Sequence, residues 1–465
     1  MTRPLAGRVA ASEVVVAGGI AGVVAYFGVL AWAVGAWPYD RWMVLVLAPV
    51  LVAVGATVVI AVTRHDEHPL TDLILVALVL KLAASFVRYF VAFELYGSGD
   101  ALRYDEAGAE IANAFHRGDM TLGSLLSVGR GTAFMDDITG LLYTVMGPSQ
   151  LGGFLVYSWI GFWGLFLFHR AALIGFPEAD QRRYALLLFF LPSLLFWPSS
   201  IGKEAVMLLS LGLCAYGAAR LLERRSMGWI VLLAGLGLGY LVRPHVPFVV
   251  LASLAFAVVF RPRRGRAPLF GPLGRILTVV VLMVGMAFVL SETVDRVLPH
   301  SDDGVVSTVD VGTLGELLDR AESGTADGGS EIDRPTPNTP FEYPSAAFTV
   351  LLRPTILEAD SAGHVVAGLE TTLVLALAVF GWRRWRTLPS VVFRRPYVLM
   401  CLVFTGIFTF AWSSFANLGA LARQRVQVWP FVLLLLALPL VVKDEPRDRR
   451  AVGGRAPTGR GLQRR

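Results

Sequence analysis

Four groups of polar residues interrupt an otherwise apolar chain, and each combines groups able to bind or transfer an oxygen-bearing substrate. In the first, Gly99-Asp100 is followed by Arg103, Tyr104, Asp105 and Glu106. Carboxylates at a membrane surface can hold a hard divalent ion, Mg or Mn, or take the proton of a sugar hydroxyl. Asp100, Asp105 and Glu106 are therefore the candidate catalytic carboxylates, Asp100 the candidate metal ligand and Tyr104 a candidate sugar contact. The same residues also suit a helix start, with Asp100 as N-cap and acids in the first turn.

The other three groups are rich in cations. FFLPSLLFWPSSIGKEAVM sets Lys203 and Glu204 at the turn of an apolar hairpin, where they could grip a phosphate or a carboxylated sugar beside a wall containing Trp197. A lysine at a helix N-terminus opposes the helix dipole, so an ordinary polar turn accounts for it less well. LVRPHVPF supplies Arg243, a bidentate phosphate clamp, and His245, which titrates near neutrality. NLGALARQRVQVWPF supplies Arg423 and Arg425, which together with Arg353 of LLRPT would make a positive mouth for a phosphate leaving group. Interfacial snorkelling and simple solvation of His245 are the alternatives.

These residues need a membrane scaffold to position them. The 465 residues are 55% hydrophobic and 16% charged, with mean hydropathy +0.62, more apolar surface than a soluble core of this length hides. A net charge of +6 is spread in short segments between apolar runs, without the aromatic-studded patch of a nucleic-acid surface, so anionic lipid is the expected partner and nucleic acid is not. The pattern predicts an all-α polytopic bundle of about twelve spans near 13–35, 43–62, 73–95, 150–172, 184–199, 204–222, 228–242, 246–260, 274–291, 364–381, 397–413 and 427–442. Several are short. Around Pro192, Pro198, Pro244 and Pro247 broken or re-entrant helices are expected, tolerated only where protein encloses them.

Lys and Arg resist translocation, so the clusters at 261–266, at 383–395 and after Lys443 place both termini in the cytoplasm. The four polar groups then fall on the extracytoplasmic side. The transmembrane domain spans 1–442, and 443–465 is a basic cytoplasmic tail. Two long loops, 96–149 and the acidic 292–362, lie outside. The first should carry an amphipathic helix with Ala107, Ile111, Ala114 and Phe115 on one face, and SAAFTVLLRPTILEAD at the end of the second should lie in the interface. Within the third span, Lys81 and Arg88 share a helix face and need partners in a medium hostile to charge. Cys214 and Cys401 sit in apolar runs and behave as small hydrophobes, with no disulfide or thiolate site expected.

The succession GDALRYDEAGAEIANAFHRGD, LLYTVMGPSQLGGFLVYSWIGFWGLFLFHRAAL, PSLLFWPSSIGKE and a late arginine motif resembles the GT-C superfamily of membrane glycosyltransferases. The resemblance implies an inverting transfer of a sugar or glycan from a polyprenyl-phosphate-linked donor to an extracytoplasmic polysaccharide or glycolipid acceptor. It casts Asp100 as base or metal ligand and the arginines as the donor-phosphate site. The long loop before a late span with outer arginines also resembles O-antigen polymerases and ligases, which need no metal. RPHVPF, LLRPTILEAD and LARQRVQVWPF resemble actinobacterial membrane proteins associated with exopolysaccharide synthesis, in the bacterial plasma membrane and alongside polysaccharide-assembly proteins. A transporter or flippase of lipid-linked sugars and a non-catalytic assembly subunit remain alternatives.

Overall fold

The computed structural model describes residues 6–96, 99–125, 129–260, 341–359, 362–413 and 417–440, with a few positions of 276–284. These are helical throughout, with no strand among the described residues. The first helices are α1 (Ala6–Ala36), α2 (Tyr39–Thr63), α3 (Thr71–Phe90, prolonged by a π-helical turn Val91–Tyr96), α4 (Asp100–His116), α5 (Leu122–Leu125), α6 (Thr132–Met146) and α7 (Gln150–Gly175). They are followed by α8 (Gln181–Phe190), α9 (Pro192–Phe196), α10 (Lys203–Leu222), α11 (Gly228–Val242), α12 (His245–Val259), α13 (Tyr343–Leu352) and α14 (Ala362–Phe380). The last are α15 (Trp382–Trp385), α16 (Leu388–Arg394), α17 (Pro396–Ala411), α18 (Leu418–Gln424) and α19 (Trp429–Leu436).

Six helices are long and apolar enough to cross a membrane, beginning at Ala17, Tyr39, Thr71, Gln150, Lys203 and Gly363. They coincide with the expected spans 13–35, 43–62, 73–95, 150–172, 204–222 and 364–381. The expected span 184–199 is instead the broken pair α8 and α9, interrupted at Pro192, which cannot donate to the helical ladder. The expected spans 228–242 and 246–260 are the shorter apolar helices α11 and α12, 427–442 holds the shorter α19, and α17 joins α16 at a 111° bend. Most of 274–291, the central part of the acidic loop and the basic tail lie outside the described residues.

The bundle is organised around α7 and α10, the most enclosed of the long helices. α7 packs against α2, α3, α8 and α10, and α10 continues the stack onto α11. Between apolar helices in lipid the water-driven hydrophobic effect contributes little, and close backbone approach supplies dispersion contacts instead. Glycines permit that approach. A Cβ on Gly212 would lie 2.4 Å from the Gly164 carbonyl oxygen, and one on Gly217 would lie 2.5 Å from the Leu232 nitrogen. α10 is thus held on two sides with no room for a side chain, which fixes the position of its first residues, Lys203 and Glu204.

The outer-loop helix exists as expected in α4, but with a different buried face. Tyr104, Asp105, Gly108 and Ala112 are enclosed, whereas Ala107, Ile111, Ala114 and Phe115 remain half-exposed. α4 docks on α6 more than it lies flat, and the closeness of Gly108 to Thr139 and of Gly140 to Ile111 sets its rotation. α13, expected at an interface, packs on α17, where the Tyr343 hydroxyl donates to the Gly406 carbonyl at 2.7 Å. Both cysteines are buried and free.

The two ends of the bundle differ in chemistry. At the end where α7 and α10 begin, the Asp40 carboxylate accepts from the Ser149 hydroxyl at 2.8 Å and the Leu151 N–H at 3.0 Å, capping α7 from another helix. At the other end Arg170 pairs with Asp66 at 2.5 Å, Arg384 with Asp180 at 2.9 Å and Arg395 with Glu178. Gly212→Val should lower the melting temperature in detergent by several degrees, because overpacking against backbone costs about 1–3 kcal/mol or more. Gly237→Ala, where an added Cβ meets nothing within 4 Å, should leave it unchanged.

Candidate functional site

Lys203 and Glu204 open α10 immediately after the broken segment, and the glycine-tight packing of α10 leaves them little freedom. The side chain of Glu204 is only 3% exposed. A carboxylate buried to that degree must be paired, and two arginines from distant parts of the chain supply the partners. Arg243, at the turn between α11 and α12, donates to Glu204 Oε1 at 3.0 Å and to the Gln424 side-chain oxygen at 2.7 Å. Arg423, on α18, approaches as a fork, with Nε 2.7 Å from Glu204 Oε1 and Nη2 3.0 Å from Oε2. Its Nη2 also reaches Asp100 Oδ2 at 2.8 Å, at the N-terminus of α4. Three elements therefore meet on one buried carboxylate, and α4 joins them through Arg423.

Around this core, the Lys203 ammonium donates to the Thr132 hydroxyl at 3.1 Å. Tyr104, one turn after Asp100, is buried; that burial, assisted by the Asp100 charge, pushes its phenol up to about 12. Arg103 pairs with Asp136 at 3.3 Å. His245 is exposed beside Arg243, its ring 5.5 Å from that of Trp412. Three cations against Glu204 and Asp100 leave the cluster one positive charge in excess before Arg103 and Asp136 cancel each other. Burial works against the charge on Arg423, yet Glu204 and Asp100 more than reverse this and hold its pKa above the usual guanidinium value.

The structure thus gathers Asp100, Tyr104, Lys203, Glu204, Arg243 and Arg423, with His245 at the edge. Other candidates lie elsewhere. Asp105 is buried between α4 and α6, where it accepts the Tyr143 hydroxyl, and Glu106, the next residue of α4, is exposed. Arg353 is neutralised locally by Glu358 at 2.6 Å. Arg425, two residues beyond Arg423, turns away and donates to the backbone carbonyls of Leu351 and Arg353. Trp197 meets Phe196 edge to face beside the Arg88 guanidinium, whose carbon lies 5.1 Å from the Trp197 ring and 4.9 Å from the Phe196 ring. Lys81 donates to the carbonyls of Leu194 and Leu195 at 2.7 and 3.0 Å. Both intramembrane cations are therefore engaged with the broken segment.

Sequence reasoning did not mark Gln424, Thr132, Asp136 or Glu370. Glu370 carried a usable signal, being a carboxylate inside an apolar run just as Lys81 is a cation inside one. Gln424 carried none, because its role arises only where α18 meets the α11–α12 turn.

A divalent ion on Asp100 would need further oxygen or nitrogen ligands. Among the described residues no group of three or more His, Cys, Asp or Glu converges on a possible metal site, and one oxygen of Asp100 already carries Arg423. The donor set there fits an anion better than a cation. Comparisons with protein-family models, curated proteins and solved structures return no significant match.

Glu204→Ala should lower stability by about 3–5 kcal/mol by leaving two guanidinium groups facing each other, whereas Asp100→Ala, at a half-exposed pair, should cost about 1 kcal/mol or less; thermal unfolding in nanodiscs measures both. Burial raises the Asp105 carboxyl above 3.8, so its ionised form destabilises the fold at neutral pH and that penalty fades as pH falls through the folded-state pKa. Asp105→Asn should accordingly raise the melting temperature at pH 7.5, with the gain shrinking toward pH 4.

Proposed function

We propose that the protein transfers a sugar or glycan from a polyprenyl-phosphate-linked donor to an extracytoplasmic polysaccharide or lipid acceptor, with arginines rather than a metal ion taking up the charge of the departing phosphate. The observation carrying this reading is the convergence of Arg243, Arg423 and Lys203 beside the half-exposed Asp100 at one end of an apolar bundle. The acceptor hydroxyl oxygen would attack the anomeric carbon, the bond from that carbon to the phosphate oxygen would break with its electron pair going to the phosphate, and the hydroxyl proton would pass to Asp100. Because the guanidinium groups are already held by Glu204, they would stabilise the developing charge with little reorganisation. Attack opposite the leaving group inverts the anomeric centre.

Orientation supports an extracytoplasmic site. The basic stretches around Arg383–Arg386 and Arg394–Arg395 lie at the end of the bundle away from Glu204, and such clusters are retained in the cytoplasm. The bacterial plasma membrane and association with polysaccharide-assembly proteins belong to the same proposal. A twelve-span topology with both termini inside belongs to the same proposal; the six long helices together with α8–α9, α11, α12, α17 and α19 account for eleven of those spans among the described residues. The absence of a carboxylate cluster beside Asp100 among the described residues favours the metal-independent polymerase or ligase form over the metal-assisted transferase. Lys81 and Arg88 serve the broken segment, which favours transfer over transport of the lipid-linked sugar.

The test is transfer of radiolabelled sugar from a panel of polyprenyl-phosphate and polyprenyl-diphosphate donors in proteoliposomes. Arg423→Ala and Arg243→Ala should each reduce the rate about 10²–10³-fold, as expected when a donor to a developing anion is lost. Chelation of divalent ions should leave the wild-type rate unchanged. Restoration of a chelated, inactive enzyme by Mg or Mn would return the metal-assisted form, and no transfer from any donor would overturn the proposal.

A further inference from the structure

The segment that delivers Lys203 and Glu204 is irregular backbone at membrane depth, and its short helix α9 has orphan groups at both ends. A five-residue helix cannot satisfy its own first N–H and last C=O groups, and lipid offers no substitute. Two charged side chains from other helices do so. At the N-terminus, Glu370 Oε2 on α14 accepts the Ser193 N–H at 2.6 Å. At the C-terminus, Lys81 on α3 donates to the Leu194 and Leu195 carbonyls. Ser199 adds a hydroxyl donor to the Leu195 carbonyl, Ser158 bridges the Lys81 carbonyl and Ser199, and the Arg88 guanidinium lies against the rings of Phe196 and Trp197. Glu370 is 6% exposed and Lys81 1%.

No ion pair joins Lys81 to Glu370. Each faces the opposite end of the same turn of helix, a carboxylate on N–H and an ammonium on C=O, so α9 lies between them as the polar bridge. Arg425 and Trp429 also lie beside Glu370. The next residues after α9 run through Pro198 and Ser199 to the start of α10. A shift of α9 is therefore passed to Lys203 and Glu204 over only a few residues.

We propose that Lys81 and Glu370 are positioning residues that clamp α9 from its two ends and thereby hold Lys203 and Glu204 in place against Arg243 and Arg423. The effect on ligand binding rests on reading that cluster as a phosphate site; the clamp itself does not. Neutralising one end leaves the opposite buried charge with its partner loosened, so the two positions are coupled although they do not touch.

The experiment uses the full chain in nanodiscs and compares Lys81→Met, Lys81→Arg, Glu370→Gln and the Lys81→Met/Glu370→Gln double variant with the wild type. The first readout is hydrogen exchange of peptides covering 191–203, and the second is the affinity for farnesyl diphosphate. Lys81→Met and Glu370→Gln should each raise exchange in 191–203 without raising it in α7 or α11, and each should weaken farnesyl diphosphate binding about tenfold. The double variant should lose less than the product of the two losses, and Lys81→Arg should restore most of the wild-type behaviour. Exchange in 191–203 that stays at the wild-type level, or rises equally across the bundle, overturns the clamp. Wild-type protein that does not bind farnesyl diphosphate, but shows the expected local exchange, overturns the phosphate reading and leaves the clamp standing.

Discussion

A carboxylate enclosed as Glu204 is would be costly in any low-dielectric interior, and the chain meets that cost by bringing two guanidinium groups to it from opposite directions. Burying an anion is tolerable only with charge and hydrogen bonds supplied together. Glu204 receives both, from Arg243 at the α11–α12 turn and from Arg423 on α18. The consequence reaches past electrostatics. The first turn of α10, the turn between α11 and α12, the start of α4 and the segment before α19 are tied together at one point, although Glu204 and Arg423 are separated by 219 residues in the chain. Arg423 bridges outward to Asp100, so a half-exposed carboxylate is placed beside a cationic surface by an interaction whose root is buried.

That arrangement depends on an unusual path for the chain. Pro192 ends α8, and the following residues form a short helix inside the bundle instead of completing a span. The free backbone groups so created are matched by Lys81, Glu370, Ser199 and Ser158, which turns isolated intramembrane charges into caps. Irregular backbone survives at this depth because protein surrounds it. Beyond it, the close contacts of Gly164 with Gly212 and of Gly217 with Leu232 hold α10 so that the exposed part of the cluster faces one end of the molecule. Buried glutamate, broken helix and glycine seam are successive requirements of one placement.

Apolar runs and the spacing of charges were enough, in the sequence, to mark an all-helical membrane chain, six of its long helices, the break near Pro192 and the helix after Gly99, and to single out Lys203, Glu204, Arg243 and Arg423 as charges that need partners. Each of these follows from local chemistry: a helix must satisfy its backbone in lipid, proline cannot donate, and an unmatched charge in an apolar run needs a reason. Tertiary structure alone decided which charges meet. Arg423 and Arg425 are two residues apart and look equivalent in sequence, yet helical geometry sends one to Glu204 and the other to the carbonyls of Leu351 and Arg353. Asp100 and Asp105 look alike as well, but the docking of α4 on α6 buries Asp105 against Tyr143 and leaves Asp100 on Arg423. Composition and period report what a segment prefers by itself, whereas the pairing of a side chain depends on the rotation and depth of another helix, and those are set by packing contacts between residues far apart in the chain.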